Sequence, residues 1–398
     1  MSITLTKKQE EGLRIAVSRY RAGEKYTIIS GYAGSGKSTL VKFIISALNV
    51  NPETEVAYIA FTGKAASVLA QKGCPNATTA HKLLYKAKPM PNGTYKFYPK
   101  DILDDGIRVV VVDEVSMLSK ALWEQLLKHP VYVIALGDPF QLPPINPDDD
   151  NHALDHPHVF LDEIMRQAQD SEIIRLSMWI REGKPLSSYN CSCEQVQVID
   201  KNSVVTGMYE WADQILCATN KKREDINRTV RELRGFGEEP CIGDKIISLR
   251  NHWDDASVAG TWALTNGSIG TIEYMSRENI WMPPYLSPKG SIPYMFTNIR
   301  LDDGDSFNYI PIDYTCLTTG ESFLTPQQVY KINRNKQFIG APYEFAYAYG
   351  MTCHKAQGSQ WPKVMVFEEW FPNEAEEHAR WLYTSCTRAS EKLLIVKK

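Results

Sequence analysis

The sequence lacks any run approaching the roughly 18 apolar residues of a membrane span. Its first residues, MSITLTKKQEEGLR, carry charge where a secretory leader needs an apolar stretch. A cytoplasmic chain with no membrane partner is therefore expected. Charge of one sign is not in excess either: 44 Lys and Arg stand against 47 Asp and Glu, a net charge of -3. A globally basic, nucleic-acid-coating protein is excluded, and any polyanion would have to be held in a local groove. The eight cysteines are scattered, and the close pair Cys191 and Cys193 has no His or second Cys pair at zinc-ligand spacing. Reduced structural thiols are expected rather than a metal site. No short-period repeat and no low-complexity tract occurs.

What is present is an ordinary globular composition, 43% hydrophobic and 23% charged over 398 residues, enough for two or three buried cores. The first third alternates short β-branched runs with helical segments, the pattern of a doubly wound parallel sheet. YTIIS (26–30), EVAYIAF (55–61), RVVVVD (108–113) and VYVIALGD (131–138) read as its strands. Between the second and third, residues 85–100 alternate Tyr, Phe and Lys around Asn92-Gly93, which predicts a projecting β-hairpin. A second α/β unit begins near QILCATN (214–220), resumes at KVMVFEE (363–369) and continues to LLIVKK. From about 246 to 341 Gly, Pro, Tyr and turn dipeptides replace helical periodicity, which predicts an inserted β-barrel with Asn266-Gly267 as a hairpin turn.

Gly31-Tyr-Ala-Gly-Ser-Gly36-Lys37-Ser38 matches GxxxxGK[ST] between a strand and an amphipathic helix, the context that a phosphate-binding loop requires. Glycines let backbone N–H groups converge on phosphates, Lys37 reaches the β and γ oxygens, and Ser38 can ligate Mg²⁺. Four valines, 109–112, deliver Asp113-Glu114 to a strand end. There Asp113 would hold Mg²⁺ and Glu114 would orient and deprotonate water, although adjacent carboxylates can also be a solvated turn. The transition state needs cations from outside the loop, for which Arg166 and Arg388 are candidates, although by residue type alone either would more often be a surface arginine.

With these residues placed, the chain resembles superfamily 1B DNA helicases of the RecD and phage Dda group. LTKKQ (5–9) looks like the Q-type motif, which implies that Gln9 reads the adenine edge, AFTGKAA (60–66) like motif Ia and TTAHKLL (78–84) like motif Ib. DEVSM (113–117) looks like motif II, GDPFQLPP (137–144) like motif III and LDEIMRQ (161–167) like motif IV. MTCHKAQGSQ (351–360) and LYTSCTRA (382–389) look like motifs V and VI. Only thirteen residues separate Met117 from Val131, too few for the signature insertion of Pif-type relatives, which favours the Dda and RecD side.

The resemblance implies two RecA-like P-loop domains with parallel sheets, a pin hairpin inserted in the first (about 82–104) and an SH3-like β-barrel inserted in the second. Boundaries of 1–165, 166–245, 246–341 and 342–398 follow. It implies ATP and Mg²⁺, with nucleotide contacts from Gln9, Gly34, Ser35, Gly36, Lys37, Ser38, Thr39 and Gly358, the metal on Ser38 and Asp113, and catalytic roles for Lys37, Asp113, Glu114, Gln141, Arg166 and Arg388. Thr62, Lys64, Thr79, His81, Thr352 and His354 would grip single-stranded DNA by phosphate contact. A Thr after a strand also commonly caps the next helix, so each of these residues has a structural alternative. Tyr85, Tyr95, Phe97 and Tyr98 would serve as cross-strand packing or meet bases. The function implied is ATP-driven 5′ to 3′ translocation and separation of duplex DNA at single-strand/duplex junctions by one copy of the chain. Two readings stay open beside it: a RecD-like, nucleotide-switched subunit acting within a nuclease, replication or recombination complex, and an RNA-directed motor.

Overall fold

A computed structural model of the chain describes residues 4–398 except 90–94, 104–105, 144–145, 166–169, 190–193, 257–262, 287–289, 303, 336–338 and 372–373. The first helix, α1 (Lys7–Arg21), opens with a capping box in which Thr6 and Gln9 satisfy each other's backbone N–H groups. Next come β1 (Tyr26–Gly31), α2 (Lys37–Leu48), β2 (Val56–Ala60), α3 (Gly63–Gln71), β3 (Ala77–Thr79) and α4 (Ala80–Leu84). The strands β4 (Tyr85–Pro89) and β5 (Tyr95–Pro99) are followed by β6 (Val109–Val112), α5 (Lys120–Leu126), β7 (Tyr132–Gly137) and β8 (Val159–Leu161).

Six of these strands form one parallel sheet in the order β3-β2-β6-β7-β1-β8. Every residue of β2 and β6 is buried, because helices cover both faces of a parallel sheet and leave no polar side for alternation. The four strands expected here from sequence are present. The three-residue strands β3 and β8 are too short to show a period, and sequence pattern did not mark them. β4 and β5 pair antiparallel with Tyr85 opposite Pro99 and Ala87 opposite Phe97; their turn, with Asn92-Gly93, lies outside the described residues.

The second half holds β9 (Val196–Asp200), β10 (Gln214–Cys217), β11 (Lys245–Ser248), β12 (His252–Ala256), β13 (Ala263–Leu264), β14 (Ile269–Trp281), β15 (Ser291–Leu301) and β16 (Ser306–Asp313). It ends with β17 (Phe345–Tyr347), β18 (Gly350–Thr352), β19 (Trp361–Phe367) and β20 (Ala389–Lys397). A second parallel sheet runs β18-β10-β19-β20-β9, and an antiparallel one runs β16-β15-β14-β11-β17. The antiparallel sheet takes in β17, beyond the boundary at 341 expected from composition. Gly267 makes a turn at φ 89, but β13 pairs with β12 and β14 with β11 and β15. Asn266-Gly267 therefore links two sheets and is not the hairpin turn expected from the dipeptide.

A buried ion pair fastens the antiparallel sheet to the parallel one. Arg231, on the helix Asn220–Leu233, meets the fully buried Asp244 with Nε 3.0 Å from Oδ1. Tyr349 donates to the same carboxylate at 3.0 Å. Removing one partner of such a pair typically costs ~3–5 kcal/mol, because it strands the other charge.

Candidate functional site: a nucleotide cleft closed by two α/β units

The loop between β1 and α2 turns twice through the left-handed region, at Gly34 (φ 78) and Gly36 (φ 80), so its N–H groups turn toward one space ahead of α2. A side chain at Gly36 would lie 2.5 Å from the Gln9 amide nitrogen. Lys37 folds onto the same loop, donating to the carbonyls of Gly31 (2.6 Å) and Tyr32 (3.1 Å). Burial holds its pKa below the ordinary lysine value, while the carboxylates of Asp138, Asp113 and Glu114 pull the other way. Ser35 is 2% exposed and its hydroxyl has no protein partner among the described residues. An unsatisfied buried hydroxyl, an ammonium held by neutral loop carbonyls and a cradle that a Cβ would fill all fit a bound phosphate chain.

Gln9 is placed differently from its expected role at a base edge. Its Oε1 accepts from Thr6 N at 3.0 Å, and its Nε2 lies 3.3 Å from the Gly36 carbonyl and 3.5 Å from that of Ser35. At 1% exposed, Gln9 here supports the loop from behind.

Asp113 and Glu114 leave the end of β6, with Glu114 itself in the left-handed region at φ 52. Burial raises both carboxyl pKa values, and the cations Lys37 and Arg388 oppose it. Arg388 belongs to the second unit, just after the helix Ala375–Cys386, yet its Nη1 stands 3.4 Å from Glu114 Oε1. It is 4% exposed and is aimed by the carbonyls of Thr384 (3.1 Å) and Ser359 (3.5 Å) and the hydroxyl of Thr387 (3.3 Å). Gly358 packs nearby: at φ 76, an added Cβ would fall 2.7 Å from Ala65 Cβ and 3.4 Å from Glu114 Oε2. Arg166 lies outside the described residues, although the preceding Met165 donates its N–H to Gly34 O at 3.0 Å.

The segment after β7 is gripped from across the cleft. Tyr383 donates to Asp138 Oδ2 at 2.6 Å and accepts from the N–H of Ala33, in the phosphate loop, at 2.9 Å. Arg380 donates to Pro139 O at 3.0 Å, Thr384 accepts from Leu142 N at 3.0 Å, and Gln357 donates to Leu142 O at 3.2 Å. The Leu142 side chain, 4% exposed, joins the core of the second unit. Arg181 stacks on Tyr32 at 3.5 Å. Asp138, Tyr383, Thr384, Arg380 and Gln357 were not among the residues selected from sequence. The signal available was helical spacing, because 380, 383 and 384 share one face. Gln141, which was selected, keeps a backbone bond to Asp138 O at 3.2 Å.

The expected strand-gripping residues gather at carboxyl ends of parallel strands: Thr62 after β2, Thr79 on β3, Thr352 on β18. Thr62 and Thr79 cap α3 and α4, accepting from Ala65 N (3.2 Å) and Lys82 N (3.3 Å), so the structural alternative holds for both hydroxyls. Thr352 stands at a helix start without a side-chain cap bond. His81 lies against Phe97 (5.5 Å between centroids), and burial lowers the pKa of both His81 and His354. Lys64 meets the β-rich unit, with Gly267 close enough that a Cβ there would lie 3.5 Å from Lys64 Cβ. Phe61, 40% exposed between β2 and Thr62, was not selected from sequence.

Residues 4–208 match the family described as AAA domain, and residues 347–396 match the UvrD-like helicase C-terminal domain. The ATP-dependent DNA helicase dda of Enterobacteria phage T4 is 34% identical over 151 residues, 36% of this chain and 34% of that protein. The ATP-dependent RecD2 DNA helicase of Deinococcus radiodurans is 32% identical over 187 residues, 45% of this chain and 25% of that protein. The aligned segments thus span only about a third and a quarter of these relatives' own lengths. Among solved structures, Pif1 helicase from Bacteroides in complex with ADP-AlF3 and ssDNA superposes with a TM-score of 0.55 at 16% identity, covering 100% of this chain and 93% of that one. Pif1 helicase from Candida albicans gives 0.53 at 18% identity, covering 99% and 94%. These likenesses show a shared fold. A nucleotide loop finished by a buried arginine from a second parallel sheet accords with the sequence matches to helicases of the Dda and RecD type, and the chain belongs to the AAA-domain family.

Proposed function

We propose that this chain is an ATP-dependent DNA helicase that moves 5′ to 3′ along single-stranded DNA and separates duplex ahead of it. The observation that carries the proposal is Arg388 Nη1 at 3.4 Å from Glu114 Oε1, a catalytic carboxylate of one unit facing a buried guanidinium of the other. Lys37 would hold the β- and γ-phosphates, and Glu114 would orient and deprotonate the attacking water. Ser38 and Asp113 would hold Mg²⁺, which neutralises charge on the phosphate oxygens. Arg388, with Arg166, would stabilise charge on the transferring group. Closure of the cleft around nucleotide would then shift residues 1–165 against 166–245 and 342–398.

Thr62, Lys64, Thr79, His81, Thr352 and His354 would line a strand path along the carboxyl ends of both sheets. The capped Thr62 and Thr79 hydroxyls retain acceptor capacity there, and their helix N-termini favour phosphate. The paired strands β4 and β5, with Phe97 and Tyr98 exposed, support a pin at about 82–104. The antiparallel sheet beside Lys64 supports an SH3-like brace within 246–341. The test is displacement of duplexes carrying either a 5′ or a 3′ single-stranded tail, with and without MgATP. Unwinding from the 5′ tail alone is expected; unwinding from the 3′ tail alone would overturn the direction, and no unwinding of either would overturn the activity of the isolated chain.

A further inference from the structure

Beside the nucleotide loop, α2 and the end of α3 stand apart over the sheet and flank a half-open cavity of about 840 Å³. Native interiors are packed with few voids larger than a water molecule, whereas ligand pockets run from ~300 to ~1,000 Å³. This cavity is of the second kind. One wall is a single face of α2, where Ser38, Val41, Lys42, Ile45, Ser46 and Asn49 recur at helical spacing. Tyr58, Val111 and Leu136 of the sheet give it an apolar floor, and Leu69, Lys72 and Cys74 close the far side. Ser38 and Asp113 also line it, whereas Lys37, Gly34 and Glu114 do not, so it extends away from the phosphate cradle and shares with it only the two residues proposed to hold Mg²⁺.

Charge selects the occupant. Neither Lys42 nor Lys72 forms an ion pair within 4 Å or a side-chain hydrogen bond among the described residues; both charges act on Cys74, and that of Lys72 also acts on Asp113. The carboxylates in the lining are Glu53, at its exposed edge, and Asp113 within. Between the two ammonium groups and the apolar floor there is a place for one negative group on a hydrophobic body, and burial of the Cys74 thiol, which raises its pKa, keeps that residue uncharged beside it. We propose that the cavity is a binding site for a small amphipathic anion, a ring system bearing one anionic group, held between Lys42 and Lys72 with its body on Tyr58, Val111 and Leu136 and its far end against Ser38 and Asp113.

The test uses the full chain without nucleotide or DNA, so its outcome is separate from that of the motor proposal. The probe is 8-anilinonaphthalene-1-sulfonate, followed by fluorescence titration, together with the rate at which N-ethylmaleimide alkylates Cys74, read by peptide mass. One saturable site and slowed alkylation of Cys74 are expected. Lys42→Met with Lys72→Met should weaken binding about tenfold or more, the scale of losing charge-assisted contacts. Ser46→Trp, on the exposed face of α2, should fill the space and abolish binding while circular dichroism and thermal midpoint stay unchanged. Equal binding by wild type and the lysine variant, an unchanged Cys74 rate, or no saturable binding to wild type would each overturn the proposal.

Discussion

The phosphate cradle and the seam between the two α/β units are built in opposite ways. The cradle is contiguous: Gly34, Gly36, Lys37 and Ser38 follow one strand and open one helix, so its chemistry is local to a single strand-turn-helix unit. The seam is assembled from residues far apart in the chain. Glu114 meets Arg388, Asp138 meets Tyr383 and Leu142 meets Thr384 across separations of 274, 245 and 242 residues. The difference teaches that phosphate binding is encoded in a short word, whereas completion of the site depends on two whole sheets being correctly docked.

That contrast can be broken first at Arg388. Arg388→Ala should lower the turnover number for ATP by about 10³-fold or more, the range of an arginine finger, while affinity for a fluorescent ADP analogue changes little. A turnover number within tenfold of wild type would show that the cradle suffices alone. Tyr383→Phe sharpens the comparison, because it removes both hydrogen bonds and keeps the ring edge-on to Phe140 at 5.2 Å. Turnover should fall about tenfold, the scale of one hydrogen bond to a charged group, with KM for ATP nearly unchanged and most of the stimulation by single-stranded DNA lost. A raised KM at constant turnover would instead make Tyr383 part of the binding loop.

The smallest effect lies away from both regions, in the antiparallel sheet. His252 stacks on Tyr343 with centroids 3.5 Å apart, and burial lowers its pKa from the ordinary imidazole value of 6.5 to about 4. Unfolded chains bind the proton more readily between these values, so the neutral ring's contribution is complete above pH 6.5 and is lost as the pH falls toward 4. The full shift corresponds to about 3 kcal/mol. His252→Phe keeps a ring for stacking and should flatten the acid side of a plot of thermal midpoint against pH. An unaltered acid limb would transfer the acid sensitivity to other groups.

How much could be seen beforehand follows the same division. β6 announced itself through Val109–Val112, and the cradle through spacing, because a buried parallel strand and a phosphate loop each leave a continuous local pattern. Arg388 was one of two arginines open on residue type and was singled out by family resemblance; its approach to Glu114 needed the fold. Tyr383 was passed over because a tyrosine beside an apolar helix face reads as core, and nothing in its neighbours points to Asp138. Gln9 was assigned to a base from its motif, but the capping box and two loop carbonyls already engage its amide. Asn266-Gly267 misled in another way: the dipeptide specified a turn faithfully, while strand pairing decided which sheets it joins.

Leu142 makes a short stretch of the first unit a lodger in the second. Its side chain sits in the neighbour's core, and its N–H and C=O are both satisfied by that neighbour. Pulling the two halves apart as rigid blocks would leave a leucine wetted and two amide groups bare, a cost of several kcal/mol on top of the lost Tyr383 bonds. Any movement of the two units against each other that spares this anchorage would have to bend the backbone between Gly137 and Leu142, which makes those few residues the point where such movement would concentrate.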